Sequence, residues 1–149
     1  MIIIKKKVVM VSGGFDPVHI GHVRMFEEAK KLGDELVVVL NNDNWLMLKK
    51  GFVFMPEAER KEILEAFRAV DRVILSYHKP NTTDISVCNE IESIHPDIFA
   101  NGGDRKPDGD PVPEVELCKK FGIEIVYNVG YGGKVRSSSE LVKSVKKNL

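Results

Sequence analysis

Ten residues near the amino terminus concentrate side chains that can bind phosphate. Residues 13–22 read GGFDPVHIGH and directly follow an apolar run. His19 and His22 are three positions apart, so on a helix they share one face and can direct two hydrogen-bond donors at one group. Histidine can donate a hydrogen bond near pH 7 whether it is neutral or charged. The pair is therefore a candidate for binding phosphate and for stabilising its transfer.

The residues beside the histidines support the same chemistry. Gly13 and Gly14 lack the Cβ atoms that would keep a phosphate away from the backbone, and a following helix would offer unpaired N–H groups. Taken singly, these residues are equally typical of an ordinary turn or helix cap. Asp16 with the two histidines is also a metal-binding combination, but no further Cys or His cluster supplies a fourth ligand. We therefore predict no dedicated metal site.

A second candidate group lies near the carboxyl terminus. Ser137, Ser138 and Ser139 open a predicted helix, where hydroxyl and N–H donors can contact a second phosphate. Glu140 stands three residues after Ser137, so an ordinary capping box explains the same residues. Lys134 adds positive charge just ahead of the serines.

The pattern of the chain predicts how these groups are positioned. Short β-branched runs alternate with amphipathic segments, which is typical of parallel strands joined by right-handed helical crossovers. The predicted strands cover residues 8–11, 36–40, 72–76, 97–100 and 123–127, and the predicted helices cover 20–32, 56–69, 83–94, 113–121 and 137–147. We expect an α/β fold with a Rossmann-like, doubly wound, five-stranded parallel sheet in a single domain over residues 1–149. Two long connections, 41–55 and 101–112, are predicted to be irregular and to lie at the carboxyl edge of the sheet.

Composition excludes several classes of protein. The 149 residues carry 22 basic and 22 acidic side chains, so there is no global positive field to hold nucleic acid or an anionic membrane surface. No run approaches transmembrane length and no secretory signal is visible, which predicts a cytoplasmic location. Cys88 and Cys118 fall among apolar neighbours and are expected to be free thiols.

Taken together, the motifs resemble those of the HxGH nucleotidyltransferase superfamily, which includes heptose-1-phosphate adenylyltransferase and glycerol-3-phosphate cytidylyltransferase. His19-Ile20-Gly21-His22 matches its first signature. The other matching stretches are Asn41-Asn42-Asp43, Lys49-Lys50-Gly51, Glu59-Arg60, Asn101-Gly102-Gly103-Asp104 and Ser137-Ser138-Ser139-Glu140-Leu141. Gly14 and Arg136 depart from the pattern, since members commonly carry a small hydroxyl or Cys residue and a branched apolar residue there.

The resemblance implies transfer of a nucleoside monophosphate from a triphosphate to a small phosphorylated acceptor, with release of pyrophosphate. The catalytic residues that it implies are His19, His22, Lys49, Lys50 and Arg60. Those implied for nucleotide binding are Gly13, Gly14, Phe15, Asp16, Gly21, Gly102, Gly103, Asp104, Ser137, Ser138 and Ser139. Asp43 and Lys134 are implied for the acceptor. Mg²⁺ bridging the triphosphate is the expected cofactor, with a homodimer as the expected assembly and no nucleic acid or membrane partner.

Several alternatives stay open at this point. ATP is favoured narrowly over CTP, and a sugar or polyol phosphate is the expected acceptor. A CTP-dependent cytidylyltransferase of the glycerol-3-phosphate type is one alternative, and a non-catalytic nucleotide-binding sensor domain is another. Class I aminoacyl-tRNA synthetases share the first signature, but the short chain, the balanced charge and the form of the serine run argue against them.

Aromatic and apolar side chains surround the two lysines of the first long connection. Trp45, Phe52, Phe54 and Met55 are expected to pack at an edge of the core or in a dimer contact, with a mobile lid over the acceptor as the alternative. The central expectation is that the amino ends of the first and last helices lie side by side.

Overall fold

The structure, a computed structural model, describes residues 5–102, 113–130 and 137–147. Within these ranges the strands are β1 (Val8–Gly13), β2 (Glu35–Leu40), β3 (Arg72–Leu75), β4 (Ile98–Ala100) and β5 (Glu124–Val126). They form one sheet in the order β3-β2-β1-β4-β5, and every neighbouring pair is parallel. The expected Rossmann-like α/β sheet is confirmed.

The helices within the same ranges are α1 (Ile20–Lys30), α2 (Asp43–Lys50), α3 (Glu57–Glu65), α4 (Cys88–Ile94), α5 (Pro113–Phe121) and α6 (Ser138–Lys147). None of them is long and apolar enough to cross a membrane.

The sheet is covered on both faces, and alternate strand residues supply two separate cores. Side chains of α1 and α3 pack with Val9, Val11 and Val38 on one face. Side chains of α4 and α5 pack with Met10 and Val39 on the other face. Successive strand residues point to opposite faces, which explains why neighbouring residues enter different cores. Because the crossover helices change face between β1 and β4, the carboxyl ends of these two strands border the crevice where open α/β sheets bind ligands.

Three predicted boundaries need correction. The connection 41–55 is not irregular throughout, because Asn42 caps α2 through its side chain and Gly51 ends that helix with a positive φ of 80°. The helix predicted over 56–69 ends at Glu65. The helix predicted over 83–94 begins only at Cys88, because the side chain of Asp84 binds the backbone N–H of Ser86 in the preceding turn.

Candidate active site

The turn between β1 and α1 is packed so closely that a side chain at either of its glycines would crowd its neighbours. A Cβ atom at Gly13 would lie 2.9 Å from the ring of Phe15. At Gly14 a Cβ atom would lie 3.0 Å from side-chain atoms of both Trp45 and Leu46. Phe15 is buried and has a positive φ of 49°, an uncommon conformation for a residue with a side chain. From the sequence, the missing Cβ atoms were expected to leave room for a phosphate group. In the structure, side chains of the protein itself lie against the positions where these Cβ atoms would be.

The histidine pair caps the first turn of α1. The backbone N–H of Gly21 donates to Nδ1 of His19 at 3.1 Å, and the backbone N–H of His19 donates to Nδ1 of His22 at 3.1 Å. The two rings stack with their centroids 3.8 Å apart. Because each Nδ1 accepts a hydrogen bond, the proton of each neutral ring is carried by Nε2. The cap therefore fixes which nitrogen of each histidine acts as the donor.

His22 lies in an apolar and cationic environment that keeps its ring neutral. Its ring contacts Phe15 edge-on at 4.8 Å between centroids and faces Phe26 at 6.4 Å. Burial, together with the neighbouring His19 and Lys50, lowers the pKa of His22 from 6.5 to about 3. At neutral pH this residue is therefore an uncharged hydrogen-bond donor.

The structure distinguishes between the two lysines at the end of α2. Lys49 is exposed, whereas Lys50 is partly buried and lies close enough to His22 to lower its pKa. Burial lowers the pKa of Lys50 from its ordinary value, Asp16 opposes this shift, and Arg60 and Lys49 add to it. Lys50 is therefore the lysine that the fold brings to the histidine pair.

Asp16 supports the turn rather than facing the cleft. Its side chain is buried, and its two carboxylate oxygens accept the backbone N–H groups of Phe54 and Met55, each at 2.6 Å. Within the described ranges no three His, Cys, Asp or Glu side chains form a group that could hold a metal ion. These contacts agree with a role of Asp16 in shaping the turn and do not fit metal binding by Asp16 with His19 and His22, whereas its expected contact with the nucleotide stays a prediction.

Arg60 is bound by groups of the protein itself. Its guanidinium is buried and donates to the backbone carbonyls of Met55 at 2.8 Å, Gly14 at 2.6 Å and Asn41 at 2.7 Å. Its fourth hydrogen bond, at 2.7 Å, joins Nη2 to Oδ1 of Asp43. Arg60 thus clamps α3 to the β1–α1 turn and to the end of β2. In the structure Arg60 is therefore a positioning residue, and its expected contact with phosphate stays a prediction.

The amino ends of α1 and α6 lie side by side, as expected. The hydroxyl of Ser138, at the first position of α6, donates to the backbone carbonyl of Pro17 at 2.7 Å. Ser137 precedes the helix and accepts the backbone N–H of Glu140 at 3.2 Å, which is half of the capping box. Ser139 is exposed. Ser137 therefore caps α6, and Ser138 holds the amino end of that helix beside the histidine turn.

The stretch after β4 is described only in part. Gly102 is partly buried and follows Asn101, whose backbone N–H donates to Val126 at 2.8 Å and whose carbonyl accepts from Val129 at 2.9 Å. These bonds place Gly102 at the carboxyl edge of β4, one strand away from the histidine turn. Four residues singled out in the sequence lie outside the described ranges: Gly103, Asp104, Lys134 and Arg136.

Trp45 and the apolar residues after α2 divide into packed and exposed groups. The indole N–H of Trp45 donates to the carbonyl of Ile85 at 2.9 Å, so this ring is fixed by the protein, as the packing interpretation expects. Phe52 is partly buried, and Nζ of Lys146 lies 5.4 Å from its ring centroid. Phe54 is 53% exposed.

Sequence reasoning missed a buried polar network beside α2. The backbone N–H of Asn42 donates to Oγ of Ser76 at 3.0 Å, and that oxygen lies 2.7 Å from Nδ1 of His78. Nε2 of His78 lies 2.8 Å from the carbonyl of Ser86, which can only accept, so Nε2 carries a proton. Ser76, the polar residue that ends the third predicted strand, was the available signal, because the apolar run of that strand stops there.

Comparison with known proteins identifies relatives of the whole fold. The family model described as Cytidylyltransferase-like matches residues 10–129. An FAD synthase of Thermococcus sibiricus is 32% identical over 144 residues, which covers 95% of this chain and 94% of that protein. The bifunctional protein HldE of Citrifermentans bemidjiense is 35% identical over 142 residues, covering 94% of this chain but 27% of that protein.

A solved structure gives the same result. The crystal structure of a lipopolysaccharide core biosynthesis protein from Thermoplasma volcanium GSS1 superposes with a TM-score of 0.65 at 32% identity, covering 85% of this chain and 99% of that one. The matched region contains the histidine pair, Lys50 and the strands that position them. The chain belongs to the cytidylyltransferase-like family of nucleotidyltransferases.

Proposed function

We propose that this protein transfers AMP from ATP to a small phosphorylated acceptor and releases pyrophosphate. The observation that carries the proposal is the hydrogen bond between Ser138 and the carbonyl of Pro17, which joins the amino end of α6 to the turn that holds His19 and His22. We assign the two helix ends, the two imidazole donors and the partly buried cation of Lys50 to the binding of the triphosphate chain. A triphosphate chain needs this combination of N–H donors and positive charge.

The proposed reaction needs no protein nucleophile. A phosphate oxygen of the acceptor attacks the α-phosphorus of ATP in line, the new P–O bond forms, and the bond to the α,β-bridging oxygen breaks. The leaving pyrophosphate takes that electron pair. His19 and His22 donate through Nε2 to the phosphate oxygens, and Lys50 offsets the negative charge that builds up during transfer. Positioning and charge stabilisation thus account for the catalysis.

The expected Mg²⁺ enters this proposal as part of the substrate. No group of three side chains in the described ranges fits a resident metal ion, and both oxygens of Asp16 already accept backbone N–H groups. We therefore assign no side chain to Mg²⁺ and place the ion on the triphosphate. The expected homodimer stays a prediction, which sedimentation equilibrium tests.

The relatives favour ATP and guide the choice of acceptors. FAD consists of AMP joined to FMN, so the FAD synthase of Thermococcus sibiricus supports ATP as the donor and FMN as one acceptor to test. The lipopolysaccharide core protein of Thermoplasma volcanium supports sugar phosphates as a second class.

The test is a pyrophosphate-release assay that pairs ATP or CTP with FMN, glycerol 3-phosphate and sugar 1-phosphates, followed by mass spectrometry of the products. We expect release with ATP and one acceptor class. Lys50→Met should lower kcat/KM by about 100-fold because it removes a cation at the transferring phosphate. Lys49→Met is the matched control and should change kcat/KM less than about threefold. Release with CTP alone would replace ATP in the proposal, and tight nucleotide binding without release from any pair would favour a sensor.

A further inference from the structure

At the carboxyl edge of the sheet, Asn41 adds a polar side chain to the core that lies beneath α4. We call Asn41 and Glu90 together the polar floor. Its backbone N–H donates to Gly13 at 2.8 Å, which continues the β1–β2 ladder by one residue. Strand residues two apart point to the same face, so Asn41 follows Val39 onto the face where Val87 and Ile91 pack. Asn41 is 4% exposed, and its Oδ1 has no hydrogen-bond partner in the described part of the chain.

Glu90 brings a second unpaired oxygen to the same layer. It stands three residues after Val87 and directly before Ile91, on the side of α4 that faces the sheet, and it is 2% exposed. One carboxylate oxygen, Oε1, accepts the backbone N–H of Tyr77 at 3.4 Å. The other, Oε2, has no partner among the described residues. A buried acceptor without a donor is costly, and two in one layer call for an explanation.

The layer adjoins the proposed phosphate site. The carbonyl of Asn41 and the carbonyl of Gly14 accept hydrogen bonds from the same nitrogen, Nη1 of Arg60, so the polar floor begins one strand away from the histidine turn. Trp45 contacts Gly14 at one end and binds the carbonyl of Ile85 at the other. Trp45 thus connects the β1–α1 turn with the segment between β3 and α4.

The chemistry of the two oxygens limits the ligand groups that they can receive. A carbonyl-type oxygen and a carboxylate oxygen only accept, so the complementary ligand group must donate. The buried guanidinium of Arg60 binds the carbonyl of Asn41 and disfavours a cationic ligand beside that residue. Neutral hydroxyl groups remain as the donors that fit.

We propose that Oδ1 of Asn41 and Oε2 of Glu90 accept hydrogen bonds from hydroxyl groups of the acceptor, on the carbons that follow its phosphate. This inference rests on the proposed function, because it assumes that an acceptor phosphate is held by the histidine pair. It defines the substrate class as phosphorylated polyols. That class includes free sugar and polyol phosphates, and it includes FMN, whose phosphate ends a ribityl chain.

The test uses variants that remove each oxygen without changing the volume much. Asn41→Leu and Glu90→Met should raise the KM for the acceptor about 10- to 100-fold and leave the KM for ATP unchanged. Because Oδ1 of Asn41 is buried and unpaired, Asn41→Leu should unfold at the same temperature as the wild type or higher. Glu92→Gln, at an exposed position of the same helix, is the control and should change neither KM. Glu90→Gln keeps the shape and one oxygen and should give a smaller rise, which provides the test if Glu90→Met does not fold.

A second arm changes the substrate. FMN, sugar phosphates and their deoxy analogues are compared by turnover and by calorimetric binding, which identifies the source of the hydroxyl groups. For the wild type, the analogue that lacks the contacted hydroxyl should bind about 10- to 100-fold more weakly. Glu90→Met should bind the same analogue as strongly as it binds the substrate that carries the hydroxyl group.

The outcomes separate the two hypotheses. Turnover with unchanged acceptor KM in Asn41→Leu and Glu90→Met, or a rise in the KM for ATP instead, overturns the hydroxyl assignment but leaves the nucleotidyl transfer. Calorimetric binding that depends on these oxygens without any turnover supports the assignment and overturns the proposed reaction. If neither turnover nor binding that depends on these oxygens is observed, the hydroxyl assignment and the proposed reaction are both overturned.

Discussion

At the residue scale, His22 combines a structural and a chemical role that compete for its protonation state. Its Nδ1 accepts the backbone N–H of His19, and this bond requires an unprotonated Nδ1. Burial, with His19 and Lys50, lowers its pKa to about 3. The residue is therefore held as a neutral donor before any substrate arrives, which costs stability when the solution is acid.

The stability of the protein should depend on pH through His22. In the unfolded chain this imidazole binds a proton below pH 6.5, whereas in the folded chain it does so only near pH 3, so the free energy of unfolding falls as the pH falls between these values. The slope approaches about 1.4 kcal/mol per pH unit, and the contribution is about 2.3 kcal/mol between pH 6.5 and 4.5 because the unfolded imidazole is already half protonated at pH 6.5. Urea denaturation at both pH values measures it.

His22→Gln is the control for this measurement, because Gln can accept the same backbone N–H at this position but does not titrate. The loss of stability on acidification should be about 2.3 kcal/mol smaller in this variant than in the wild type. Equal losses in the two proteins would show that His22 titrates normally.

At the element scale, apolar periodicity predicted the strands and failed where side chains decide the boundary. The start of α2 had a signal in Asn42, a good helix cap, and its end had one in Gly51, a left-handed helix terminator. The late start of α4 had a weaker sequence signal, because Ser86 donates hydrogen bonds to the side chain of Asp84 in the preceding turn. The role of Arg60 had no sequence signal, because an arginine on a polar helix face looks the same whether it meets phosphate or three backbone carbonyls.

Removal of Arg60 should unfold the site rather than weaken phosphate binding alone. Arg60→Met leaves the buried carbonyls of Gly14, Asn41 and Met55 without their donor, so the free energy of unfolding should fall by about 3–5 kcal/mol. Chemical denaturation measures this loss.

Lys61→Met on the same helix is the matched control. Lys61 forms only an exposed pair with Glu65, so its removal should cost less than about 0.5 kcal/mol. An Arg60→Met variant with wild-type stability and a raised KM for ATP would restore the phosphate-binding interpretation.

At the scale of the whole molecule, the parallel sheet brings together groups that are far apart in sequence. The bond between Ser138 and Pro17 spans 121 positions. The sequence predicted a parallel sheet with its long connections at one edge, and from the resemblance it predicted the meeting of the two helix ends. It could not predict the polar floor at Asn41 and Glu90, because polar residues after a strand and a Glu on a helix are each typical of a solvated surface.

The position of α6 should depend on Ser138. The helix has no buried residue in the described part of the chain, so the hydroxyl bond to Pro17 and the contact of Lys146 with Phe52 are prominent among its attachments. In Ser138→Ala, hydrogen exchange of the α6 amides should accelerate about fivefold, as expected for the loss of about 1 kcal/mol. Ser139→Ala alters an exposed hydroxyl and serves as the control. ATP with Mg²⁺ should slow the exchange in the wild type, and equal rates in all three proteins would show that α6 is held elsewhere.

The contacts of Asp16 and Arg60 have a consequence for protein engineering. Both side chains tie the β1–α1 turn to residues 41–60, and Gly14 is matched in size to Trp45 from the same segment. A loop graft that imports residues 41–60 from a relative would leave the recipient turn with foreign partners. Residues 13–16 and 41–60 must therefore be transplanted as one block, and directed-evolution libraries aimed at new acceptors should vary the two segments together.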